Sequence, residues 1–152
     1  MPAPTTAFCT SFKTELPQAL HNFTASTGNV FKCALFVAAP TGTFGAATTN
    51  YSQLSTDELA NGSGYTTGGF AWTAAQNITP ASSGTQTYWS FTVNPSWSAA
   101  TFSTSGCLIY NSTSSGRACG VFSFGGTQTV TAGTFTVTLP TNGAGTSVFQ
   151  LN

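Results

Sequence analysis

Proton-transfer catalysis needs groups that titrate near neutral pH, and this chain of 152 residues offers few: His21, the carboxyls of Glu15, Asp57 and Glu58, and the thiols of Cys9, Cys33, Cys107 and Cys119. Asp57 and Glu58 form the one carboxylate pair, but adjacent residues cannot flank a scissile bond as a glycosidase requires, so both are expected to solvate a loop. Serine is abundant, yet no G-x-S-x-G elbow occurs, and one histidine without a placed acid does not make a triad. The cysteines lack C-x-x-C spacing, and the single histidine cannot complete a Cys/His finger. They allow three pairings. Cys107 and Cys119 could face each other across a hairpin, a geometry open to a disulfide in an oxidising medium. GSGYTTGG, Gly62 to Gly69, lacks the lysine and the spacing of a phosphate-binding loop. No catalytic, cofactor-binding or metal-ligating residue is expected.

The residues that remain suit contact with other protein. Tyr65 in the glycine-rich loop, Trp97, Tyr110 and Arg117 combine large or planar side chains with loop or loop-base positions. Arg117, the sole arginine, has no acid or metal ligand beside it in sequence and fits a planar hydrogen-bonded contact to carbonyls or a carboxylate, within the chain or on a neighbour.

The elements that carry these residues follow from hydrophobic spacing. Phe12, Leu16, Leu20 and Phe23 recur at helical intervals, which predicts one short helix within about residues 10–23, with Pro17 in its first turn and His21 near its carbonyl end. Glu15 is expected in the first helical turn. From Phe31 the period becomes two, with Phe31, Cys33, Leu35 and Val37 on one face. Further alternation marks strands at Phe70, Trp72 and Ala74, at Trp89, Phe91 and Val93, and at Phe135, Val137 and Leu139, the last set with threonine on its opposite face. GCLIYNSTSSGRACGVFSFGG (106–126) reads as two apolar strands around a polar turn at 111–116, with a second polar break at 125–127. These signals predict a mainly β chain forming one domain over 1–152. The architecture is a two-sheet antiparallel β-sandwich, a jelly roll being one topology open to it, with the short N-terminal helix.

Charge is the unusual quantity. Only Lys13, Lys32, Arg117, Glu15, Asp57 and Glu58 are ionised at neutral pH, 4% of the chain against a usual share of about 25%. Three scattered cations cannot neutralise a run of phosphates, so no direct nucleic-acid partner is expected. No stretch approaches the roughly 20 apolar residues that span a bilayer, and the N-terminus lacks a secretory pattern, so no membrane role is expected and assembly in the cytoplasm is. The five N-x-Ser/Thr sequons then follow from the abundance of Ser and Thr. A surface solvated by hydroxyls and amides, with formal net charge zero, has little repulsion to oppose association.

Several stretches in order, SFKTELPQALHNF (11–23), VFKCALFVA (30–38), NGSGYTTGGFAW (61–72), WSAATFSTSGCLIYN (97–111) and FGGTQTVTAGTFTVTLP (124–140), together resemble small virion structural proteins of tailed bacteriophages, of the head-decoration or cement kind. The chain departs from that pattern in its low charge, at Cys107 and at Pro17. The resemblance implies a non-enzymatic capsid decoration protein on the virion, assembled in the host cytoplasm. Its implied partners are the major capsid protein and further copies of itself, as a homotrimer or homodimer. The alternative is a tail or fibre component that contacts a host-surface glycan through exposed Trp and Tyr.

Overall fold

A computed structural model describes residues 3–152. Eight strands form two antiparallel sheets. The larger has the order β1 (Ala7–Phe8), β7 (Arg117–Thr136), β6 (Ser96–Asn111), β2 (Phe31–Val37) and β3 (Phe70–Trp72); the smaller is β4 (Ala81–Ser83), β5 (Gln86–Trp89) and β8 (Phe149–Leu151). The expected mainly β, two-sheet architecture with one short helix is therefore observed.

That helix, α1 (Thr10–Glu15), is shorter than its apolar spacing predicts. Pro17 has no N–H to continue the ladder, the chain passes into tight turns closed by Gln18 N–H to Glu15 O and Ala19 N–H to Leu16 O, and Ala19 turns left-handed at φ 57°. Glu15 consequently ends the helix instead of opening it. Phe12 and Phe23 still meet, their ring centres 6.2 Å apart, although only Phe12 is helical.

An aromatic layer joins the sheets. Phe23 stacks on Phe31 of β2 at 4.1 Å and also touches Trp89 of β5 and Phe149 of β8, while Trp72 of β3 stacks on Phe91 at 3.9 Å. β2 is covered on both faces, since Ala34 and Phe36 are as buried as Phe31, Cys33 and Leu35. Phe36 on the second face stacks on Phe44 at 4.7 Å. The one-sided alternation expected there is the correct reading of only one of its faces.

β6 and β7 form the longest feature, a hairpin whose ladder runs from Asn111↔Arg117 to Ser96↔Thr136. Its turn lies where the sequence places it. The polar break expected at 125–127 instead stays within β7: Gly125 (φ 76°) and Gly126 (φ 153°) absorb extra residues where the register slips between Thr104↔Gln128 and Gly106↔Ser123. At the distal end of β7 and just past it, Phe135, Val137 and Leu139 are half-buried and Thr134, Thr136 and Thr138 exposed, as their alternation predicts.

Candidate functional site

Two buried polar clusters, one apolar cleft and one exposed arm are the places where this fold could act. The first cluster centres on Glu58. Its backbone bridges Phe36 of β2, which turns the carboxylate inward to accept from the hydroxyls of Tyr51 (2.5 Å) and Tyr65 (2.7 Å) and from the amide of Gly68 (2.6 Å). Tyr65 Oη also accepts from the amide of Leu35 at 3.0 Å, and Tyr110, stacked on Tyr51, donates to the carbonyl of Gly68 at 2.8 Å. Desolvation, with the carboxylate beside it, pushes the Tyr51 and Tyr65 hydroxyls well above the usual tyrosine range. Here an acid is saturated with donors and its tyrosines are locked as neutral groups, so the cluster ties the glycine-rich loop to the sheet. Glycine is required at position 69, where a Cβ would sit 2.0 Å from the carbonyl oxygen of Cys33. Asp57, expected like Glu58 to solvate a loop, is equally buried. It closes the turn at 41–42 by accepting from the amides of Thr41 and Gly42, both at 2.8 Å.

In the second cluster Glu15 accepts from two side chains, the guanidinium of Arg117 (Nη1) and the imidazole of His21 (Nε2), each at 2.7 Å. Of the alternatives the sequence left open, Arg117 takes a carboxylate of its own chain. His21, expected at helix-end carbonyls, lies past the shortened helix. Its Nδ1 faces the amide of Asn111 at 3.2 Å, so the ring is neutral with the proton on Nε2, donating to Glu15. Cys119 Sγ stands 3.8 Å from that Nδ1. The order thiol, imidazole, carboxylate resembles a nucleophilic triad, and sequence spacing gives no hint of it because the three residues come from a turn, a helix end and a β-bulge. Its chemistry is closed off: Cys119 is fully buried, desolvation holds its thiol well above the usual range, and Asn111 already occupies Nδ1.

Burial opposes the charged form of His21, and although the Glu15 hydrogen bond works the other way, its pKa lies below the ordinary 6.5. The unfolded chain then binds the extra proton, so the stability this group contributes is complete above about pH 6.5 and declines as pH falls through the lower folded value. His21 is the single histidine. The expected result is a denaturant midpoint that drops between pH 7 and pH 5, and a flatter profile over that interval in His21→Gln. Asp57 adds a separate loss below pH 4: burial raises its carboxyl, but the Thr41 and Gly42 amides and the Thr41 hydroxyl outweigh that and hold it under 3.8.

The thiols do not meet as expected. Cys107 is opposite Phe122, and Cys119 is the extra residue where the register slips between Ile109↔Gly120 and Tyr110↔Ala118, so the two are not cross-strand partners. Instead the Cys9 amide donates to the Cys119 carbonyl at 3.0 Å, and Cys33 and Cys107 line one cleft. All four are free and buried; desolvation, with Glu15 nearby, pushes Cys9 up to about 12. The cleft, of about 580 Å³, lies between the hairpin and the C-terminal segment and is walled by Ile109, Phe122, Phe124, Phe135, Val137 and Leu139. No charged residue lines it.

The four contact candidates are placed as follows. Tyr65, Trp97 and Tyr110 are buried, at 2, 7 and 3% exposure, which corrects their expected place on the surface. Tyr65 and Trp97 do converge, at 6.0 Å, but inside the fold. Their polar ends find partners within the chain or their rings fill the core, the usual fate of an aromatic in a chain with little other large apolar volume. Arg117 alone keeps a substantial exposed part, 39% of its side chain. An uncharged and largely exposed surface is offered by the distal hairpin, residues 96–104 and 124–136, where Ser, Thr, Gly and Ala predominate while Trp97, Ala100 and Thr104 are buried on its inner side. Its hydroxyls pair across the strands, Ser103 with Thr129 at 2.8 Å and Ser96 with Thr136 at 3.1 Å. Among the described residues no three His, Cys, Asp or Glu side chains are grouped to hold a metal, and no helix is long and apolar enough to cross a membrane.

Comparison with protein families, with curated proteins and with solved structures finds no match.

Proposed function

We propose that this chain is a structural protein of a tailed-bacteriophage virion, a head-decoration protein that binds across junctions between major capsid subunits as an oligomer. The observation that carries this reading is the distal β6–β7 hairpin: a long, hydroxyl-rich ribbon with one largely exposed side and no ionised group, on a chain of formal net charge zero. Such a surface binds through shape, backbone groups and bridging water, and many weak copies of it acting together hold a shell against expansion. The buried clusters fit the same role. Three of the six charged side chains, the carboxylates of Glu15, Asp57 and Glu58, are turned inward to organise loops, which leaves few ionised groups on the outside. The chain's order of motifs resembles the decoration proteins over most of its length.

A tail or fibre role in glycan contact would use Tyr65 and Trp97 as a platform, and their burial weighs against it. Copy number separates the two roles. Cryo-EM of the particle is expected to find hundreds of copies over the head; a few dozen or fewer, confined to the tail, would overturn the proposal.

A further inference from the structure

β7 is paired with β6 along its length, but its other edge is covered only at its start, where residues 49–51 bridge Arg117 and Ala118, the Cys9 amide reaches the Cys119 carbonyl and β1 meets Gly120 and Val121, with the Ser123 amide capped by Thr6 Oγ1 at 3.0 Å. Over residues 124–136 no strand pairs with that edge among the described residues. Natural sheets protect such edges with lysine, proline or inward charge. Here residues 118–139 contain neither a charged residue nor a proline, so only the bulges and the glycine pair interrupt it. Between the slips the ladder is regular, Phe102↔Val130, Ser103↔Thr129 and Thr104↔Gln128, leaving Thr127 to Thr131 as a straight edge.

We propose that this edge pairs antiparallel with the same edge of a second copy about a two-fold axis, making a continuous sheet through both chains. The inference rests on the reading that the protein works as an oligomer, and it names the surface and the partner. Three features select a second copy. The edge carries no charge to attract an ionised partner, and two copies of zero formal net charge meet without repulsion. An antiparallel edge is its own complement under a two-fold, which is the isologous geometry of a closed dimer. Centred on Thr129, that register sets Thr127, Thr129 and Thr131 opposite Thr131, Thr129 and Thr127, extending the hydroxyl pairing already made between Ser103 and Thr129.

The purified full chain at tens of micromolar is expected to have twice the 15.6 kDa of one chain by sedimentation equilibrium. Thr129→Lys/Thr131→Lys places like charges across the axis at exposed positions and is expected to give a monomer, as is Thr129→Glu/Thr131→Glu. Mixed in equal amounts, the two variants are expected to regain the dimer mass, a result that a folding defect cannot produce. On the unaltered protein, the amides of 127–131 are expected to exchange more slowly at high than at low concentration. A wild-type monomer, a trimer mass, a dimer that survives the lysines, a mixture that stays monomeric, or exchange at 127–131 independent of concentration would each overturn the pairing. None of these outcomes depends on a capsid, so failure here leaves the decoration role to its own test.

Discussion

Phe149→Ala is expected to remove about 3–5 kcal/mol of stability, a large share of the roughly 5–15 kcal/mol total of a domain. Phe149 is fully buried and its ring lies within 5.4–6.3 Å of Phe8, Phe12, Phe23, Trp89 and Phe91. It sits on β8, a strand of three residues paired with β5 through Trp89↔Phe149, so it is also what fastens the C-terminal strand to the rest. Truncation leaves a cavity that five rigid rings cannot close without losing their own stacking. Urea unfolding followed by tryptophan fluorescence measures the loss. Leu151→Ala, two residues along and 42% exposed, is the comparison and is expected to stay within about 0.5 kcal/mol of the parent.

Glu58→Ala is expected to cost about 3 kcal/mol or more for a different reason. It strips the acceptor from the Tyr51 and Tyr65 hydroxyls and the Gly68 amide at once, and each buried donor left unpaired costs about 1–3 kcal/mol. Glu58→Gln keeps the shape and one carbonyl oxygen and is expected to recover part of the loss. Tyr65→Phe removes one donor to Glu58 together with the acceptor for Leu35 N–H, and falls between parent and Glu58→Ala. The same denaturation series, with tyrosine near-UV circular dichroism as a local probe, orders the three variants. If Glu58→Ala were as stable as the parent, the cluster would be a surface feature and not an anchor for the glycine-rich loop.

The β architecture was legible because it rests on local alternation, which the 106–126 hairpin and the Phe135, Val137 and Leu139 series carry plainly. The helix is shorter than its spacing predicts for a local reason as well: the four-residue spacing of Phe12, Leu16 and Leu20 continues past a proline that ends the ladder. What sequence could not reveal was long-range. Glu15, His21, Asn111, Arg117 and Cys119 gather into one cluster from separate elements, and no spacing marks them. Residue type alone points to Tyr65, Trp97 and Tyr110 as contact residues, but in a chain where Phe, Trp and Tyr supply most of the large apolar volume the core claims them first. The distal ribbon is legible in part: the Thr134 and Thr136 face reads as a strand, but Gly125 to Thr127 reads as a turn, whereas pairing with β6 carries β7 through it.

An uncharged contact surface has a signature that a charged one lacks. Purified protein titrated onto capsid shells assembled without it measures that signature most directly. Saturable binding whose affinity changes less than about threefold between 50 and 500 mM salt is expected, since no ion pairs at the contact would be screened. Failure to bind the shells, or binding that weakens steeply with salt, would contradict the account.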